Sequence, residues 1–303
     1  RLEEAAALAK EIEQNDPQLA LGYLLEGRIA ERRKNLDKAV EAYEKAVERG
    51  GGQTAIVPLV AILVKQNRTD DLNRLRQKVA GLPGEFDRIA ALQALNAGDK
   101  QRAELLSQMA VQGDPEGVDT RVWRAEVLKK LGRPEEAEKT LKELIKQRPQ
   151  APAPWLSLLM LQLSLKDRKA AAKTVEGMRA ANVASDFPDL LLAQCYRVVG
   201  DYARAGEYFQ EAMRKRPGDI AVLSSAAQFF ESIGLRDQSE QVLRVIRERD
   251  PSATWATRRL ALSLASRTGN RAAWQEAIKL IGPERRPDDV TDDMITRATV
   301  YAQ

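Results

Sequence analysis

Apolar residues recur along this chain at helical spacing, in pairs of stretches parted by short polar turns. From Leu19 to Gly52 a first stretch runs through Tyr23, Leu24, Gly27 and Ala30, and a turn falls at Lys34-Asn35. A second stretch follows through Leu36, Ala39, Val40, Tyr43, Ala46 and Val47. Apolar positions three and four residues apart share one helix face, so the pattern predicts helix, turn, helix. Gly27, Ala39 and Ala46 are small where two antiparallel helices must approach closely. A larger side chain there would overpack the contact by roughly 1–3 kcal/mol.

The hairpin recurs. Pro17 and Gly51 lie 34 residues apart, and Pro115, Pro149, Val183, Pro217 and Pro251 succeed one another at the same interval. A fixed period of this order marks a stacked-repeat architecture. The expected layout is one all-α array over residues 1–303, with repeats near 20–53, 54–83, 84–117, 118–151, 152–185, 186–219, 220–253 and 254–290. Half-repeats fill 1–19 and 291–303, for about sixteen helices in all. Gly98, Gly132, Gly200 and Gly234 are placed to end first helices in the left-handed conformation. Asp99, Asp201 and Asp237 then favour the positive end of the second helix, Pro134 suits a first helical turn, and the closing prolines stop each unit. Residues 54–83 are four short, and their second helix is apolar only at Leu72, Leu75 and Val79, which makes this the weakest repeat. Both ends read as half-units without a polar cap, so the chain is expected to be an excerpt of a longer array.

A small residue at position 8, Ala at 20, an aromatic or Leu at 24, Ala at 27 and Pro at 32 resemble the tetratricopeptide repeat (TPR) pattern. Residues 186–219 carry it most fully, with Ala193, Tyr196, Gly200, Ala205, Phe209, Ala212 and Pro217. Ala125, Leu128, Gly132, Ala137, Leu141 and Pro149 repeat it, as do Ala227, Phe230, Gly234, Leu243 and Pro251, although Ser239 replaces the usual Ala. Residues 152–185 depart from it, with Leu159 at a small position. The resemblance implies a right-handed superhelix of stacked helix pairs, and a non-catalytic scaffold of bacterial type that binds a protein or peptide in a concave groove.

Composition supports a helical, surface-working protein. The chain is 44% hydrophobic and 30% charged, enough for a continuous core, and aromatics are only 5%. Lys and Arg number 48 against 44 acids, a net charge of +4, which is a mixed solvated surface rather than a nucleic-acid stripe. There is no histidine, which removes the usual acid–base group near neutral pH and the commonest metal ligand. Cys195 is the only cysteine and reads as a buried inert thiol. Gly50-Gly51-Gly52 reads as an interhelical turn, and Pro134-Glu135-Glu136 and Pro287-Asp288-Asp289 read as helix starts. Core packing is the default for Trp123, Trp155, Trp255 and Trp274. The longest apolar run, Ala55–Val64, is too short to span a membrane and contains Pro58. No catalytic, cofactor-binding or metal-binding residue is therefore expected, and the partner is a protein or peptide, with neither nucleic acid nor membrane insertion expected.

In the family that this chain resembles, positions 2, 5, 9, 12 and 13 of each repeat face the groove. Carried onto this sequence, they give Leu21, Leu24, Arg28, Glu31 and Arg32, then Arg88, Lys129 and Lys130. Leu156, Met160, Leu163, Phe187, Leu190, Gln194 and Arg197 follow, and Trp255 and Arg258 come last. The Lys and Asn pair that TPR co-chaperones use to clamp a C-terminal carboxylate is missing, because Leu24 and Arg28 stand in its place. The apolar stretch flanked by Lys129, Lys130 and Arg197 suits an amphipathic helix or extended peptide with acidic flanks. The same residues can instead pack against neighbouring helices, and both readings stand. Two other functions stay open: the recognition arm of a larger enzyme or of a cell-envelope or polysaccharide-export assembly, and, as a minor alternative, RNA binding.

Overall fold

The computed structural model describes residues 1–79, 83–267, 269–282 and 291–302. It falls into two compact units, Arg1–Leu161 and Gln162–Gln303. Unit 1 holds α1 (Leu2–Asn15), α2 (Ala20–Arg32), α3 (Leu36–Glu48), α4 (Gly52–Lys65), α5 (Thr69–Lys78), α6 (Pro83–Asn96), α7 (Lys100–Gly113), α8 (Val118–Lys130), α9 (Pro134–Gln147) and most of α10 (Pro152–Ser164). Unit 2 holds the end of α10, α11 (Arg168–Ala180), α12 (Pro188–Val199), α13 (Tyr202–Lys215), α14 (Ile220–Ser232), α15 (Arg236–Arg249), α16 (Thr254–Ala265), α17 (Arg271–Ile281) and α18 (Thr291–Tyr301). The helices follow one another as sequential antiparallel pairs. Eight pairs with a single helix at each end make eighteen among the described residues, not about sixteen. The acidic run Pro287-Asp288-Asp289 lies outside the described residues.

Each pair turns through one left-handed residue. Along the chain these are Lys34, Asn67, Gly98, Gly132, Lys166, Gly200, Gly234 and Gly269, with φ between 55° at Asn67 and 88° at Gly200. Five of them precede an Asn or Asp whose side chain accepts the backbone N–H three residues on: Asn35 from Lys38, Asp99 from Arg102, Asp167 from Ala170, Asp201 from Arg204 and Asn270 from Ala273. Such a cap stabilises a helix by about 1 kcal/mol. Asp237 does not cap its helix; it stands in the first turn of α15 and pairs with Arg267. Pro134 occupies the first turn of α9, and α4 continues through Pro58.

The small positions carry the helix–helix contacts. Ala39 and Ala46 are fully buried, and a Cβ on Gly27 would stand 2.6 Å from the Tyr43 ring. Unit 1 is filled with aliphatic side chains, chiefly Ile56, Leu59, Val60, Leu63, Leu72 and Leu75. Unit 2 is filled more by rings: Phe209 stacks on Phe229 at 4.7 Å, and Tyr196 on Tyr208 at 5.4 Å. Ser239, at a position usually Ala, is buried and donates to the Ala227 carbonyl at 3.1 Å, so its hydroxyl is satisfied. None of the four tryptophans is fully buried, against expectation. The Trp155 and Trp274 indoles donate to the carbonyls of Pro149 and Val300, and those polar ends keep the rings at the margin of the core.

Candidate functional site

The helical period decides which first-helix residues stay out of the core. On α10, Leu158, Leu159 and Leu161 are buried, while Met160 between them is 56% exposed. On α12, Ala193, Cys195 and Tyr196 are buried, and Gln194 and Arg197 are exposed. On α2, Gly27, Ile29 and Ala30 are buried, and Arg28 and Arg32 are not. Leu156, Leu163, Leu190 and Trp255 are half-buried. None of the seventeen residues read as groove positions is buried in the core.

Several of them are already engaged within the chain. The Arg88 guanidinium lies 5.4 Å from the centre of the Trp123 ring, and Arg216 covers Phe187 at 4.2 Å. Each contact is a cation over an aromatic face. Lys129 pairs with Glu126 at 3.5 Å, and Arg258 donates to the Thr254 hydroxyl at 3.4 Å. Tyr43 donates its hydroxyl to Glu31 at 2.6 Å, and burial together with that carboxylate holds the phenol above its ordinary pKa. By contrast Arg28, Arg32, Lys130 and Arg197 form no ion pair among the described residues.

Unit 1 therefore places Arg28, Arg32, Arg88, Lys129, Lys130, Leu156 and Met160 on its first helices, and unit 2 does so for Leu163, Leu190, Gln194, Arg197, Trp255 and Arg258, with Phe187 at the N-cap of α12. Phe187 and Leu190 share a cavity of about 200 Å³ with Ala212, Lys215, Arg216 and Val222. Those two side chains thus meet the end of α13 and the start of α14, a contact that periodicity within one repeat does not reveal.

Burial pushes the Cys195 thiol up to about 11, so it stays protonated and unreactive at neutral pH. No group of His, Cys, Asp and Glu side chains among the described residues is placed to hold a metal ion. No helix among them is long and apolar enough to cross a membrane.

Three tetratricopeptide repeat profiles match the chain, over residues 1–54, 94–160 and 190–221. Among solved structures, YrrB, a TPR protein with an unusual peptide-binding site, is 15% identical with a TM-score of 0.40, covering 63% of this chain and 97% of its own. TTC0263, a thermophilic TPR protein of Thermus thermophilus, is 18% identical with a TM-score of 0.39, covering 60% of this chain and 98% of its own. Yeast Tom70 is 14% identical with a TM-score of 0.47; the match spans 84% of this chain and 58% of Tom70. No curated protein matches the sequence.

Proposed function

Because the chain belongs to the tetratricopeptide repeat family, whose members are generally protein-interaction modules, we propose that it is a non-catalytic scaffold. It holds a protein or peptide on the surface that its first helices present. The observation that carries this reading is Met160, a large flexible apolar side chain kept 56% exposed among three buried leucines of one helix. Methionine in such a place adapts to varied apolar partners. The unpaired cations Arg28, Arg32, Lys130 and Arg197 add a preference for acidic groups beside the apolar ones.

Affinity capture from the cells that make the protein tests it. The wild type recovers a protein partner at low salt, and a variant with Arg32→Glu and Lys130→Glu recovers it severalfold less. Equal recovery by both, or no protein under several conditions, contradicts the proposal.

A further inference from the structure

Along the hairpin-turn edge of unit 2, four large apolar side chains face solvent: Leu165, Val198, Tyr202 and Leu235, each between 42% and 52% exposed. They come from three successive turns, built around the left-handed residues Lys166, Gly200 and Gly234. Two contacts set those turns side by side. Arg168 Nη1 reaches within 3.5 Å of where a Cβ on Gly200 would stand, and the Tyr202 ring lies 6.5 Å from Phe229 on α14. Single exposed apolar residues need no explanation, but four large ones gathered within two residues of the left-handed positions of three successive turns mark a candidate contact surface.

Cations are in excess on this edge. Lys166, Arg168, Lys169, Arg197 and Arg236 are exposed and form no ion pair among the described residues. Of the carboxylates among them, Asp201 lies 3.6 Å from the Arg204 guanidinium, while Asp167 caps α11 by accepting the Ala170 N–H at 2.9 Å and keeps its charge among Lys166, Arg168 and Lys169. Glu231 pairs with Arg259, and Asp237 with Arg267. Free cations thus flank apolar side chains over three turns.

We propose that this edge is a second docking surface, and that its occupant is an acidic protein segment bearing apolar side chains, laid across the turns. Carboxylates of the segment meet the five cations, and its apolar groups cover Leu165, Tyr202 and Leu235. The half-sunk state of those side chains favours a protein over a bilayer. Insertion among lipid tails needs apolar groups that project well beyond the cations, whereas half-covered ones need a partner that brings its own apolar atoms to them. Arg197 and Val198 border the first-helix face; the other residues stand apart from it, so the two surfaces are testable separately.

The test uses the whole chain and a labelled synthetic peptide of repeated Glu-Asp-Leu triplets. The peptide is expected to bind with an affinity that falls as salt rises. Replacing Lys166→Glu, Lys169→Glu and Arg236→Glu together weakens it by about tenfold or more, while the single charge reversal Lys146→Glu, in the last turn of α9 and outside both surfaces, leaves it within about twofold. Hydroxyl-radical footprinting of the unmutated chain, which does not depend on any variant folding, then shows Leu165, Tyr202 and Leu235 protected. Equal binding of a Lys-Arg-Leu peptide, undiminished binding by the charge-reversed variant, or protection elsewhere overturns the proposal. Phosphatidylserine vesicles that bind through the same cations where the peptide does not would overturn it too, and make the occupant a membrane.

Discussion

The α4–α5 and α12–α13 hairpins have the same outline and are built from opposite distributions of apolar surface. In α12–α13 both helices contribute: Ala193 and Tyr196 on one side meet Ala205, Phe209 and Ala212 on the other, all buried. In α4–α5 the second helix has ten residues and buries only Leu72 and Leu75, while α4 buries seven, from Ala55 to Val64. The first helix has become apolar nearly all round because its partner is short and polar. None of the profile matches covers residues 55–93, which hold α5 and all of α4 but its first three residues. What defines the hairpin physically is a closed interface and a left-handed turn; the recognisable small-and-aromatic pattern is one way of making it.

The largest effect expected from this contrast is at the second helices. Phe209→Ala should cost about 3–5 kcal/mol, because it removes a ring packed between two helices of its unit, and Leu75→Ala should cost about 2 kcal/mol, since α5 supplies so little of its interface. Equal losses in chemical denaturation would mean that the two hairpins share their apolar surface in the same way. Next in size, Ala205→Leu should destabilise by roughly 1–3 kcal/mol, since Ala205 is fully buried at a close helix contact. An unchanged melting transition would place that position outside the interface.

Turn residues give the third prediction. Gly200→Ala puts a side chain at φ 88° and should cost about 1–2 kcal/mol, while Lys166→Gly, at φ 61°, should stabilise by up to about 1 kcal/mol after glycine's greater backbone freedom is counted. Thermal melts of both variants check the opposite signs. The smallest effect concerns Asp87 on α6, which is fully buried. Its Oδ2 accepts from Arg76 of α5 at 2.7 Å, and its Oδ1 has no partner. Desolvation raises its pKa although Arg76 opposes the shift. A folded pKa above the unfolded one means that this group's contribution is fully present below the unfolded pKa and is lost as pH rises through the folded one. Asp87→Asn should therefore flatten the dependence of melting temperature on pH across the acidic range. An unaltered slope would show that Asp87 titrates as it does in the unfolded chain.

Much of this was legible in the sequence, for a physical reason: the hairpin is local, so its period, small positions and glycine turns all lie within one repeat. Gly27 at a close helix contact and Gly200 in its turn are read directly from spacing. Lys34 and Lys166 are different, because nothing in a lysine announces a left-handed conformation; only the register shared with the glycine turns does. Capping by Asn35, Asp167 and Asn270 was equally hidden, although each follows such a residue. The pairing of Asp87 with Arg76 joins two hairpins, and periodicity within either one says nothing of it. At the candidate site, the repeat positions carried over from the resemblance fall on residues that stay out of the core, such as Met160 and Gln194. It could not show that Arg216 already covers Phe187 or that Trp123 already engages Arg88.

On the proposed function, exposed first-helix side chains serve a partner and their buried neighbours serve the fold. Met160 and Leu161 are adjacent on α10 and test it within one turn of helix: Met160 is 56% exposed and Leu161 is 2% exposed. Met160→Ser should leave the melting transition within about 0.5 kcal/mol of the wild type and weaken binding of the captured partner. Leu161→Ser should lower stability by at least about 1.5–3 kcal/mol through lost burial alone. Comparable destabilisation by both substitutions, or undiminished partner binding by Met160→Ser, would contradict the claim.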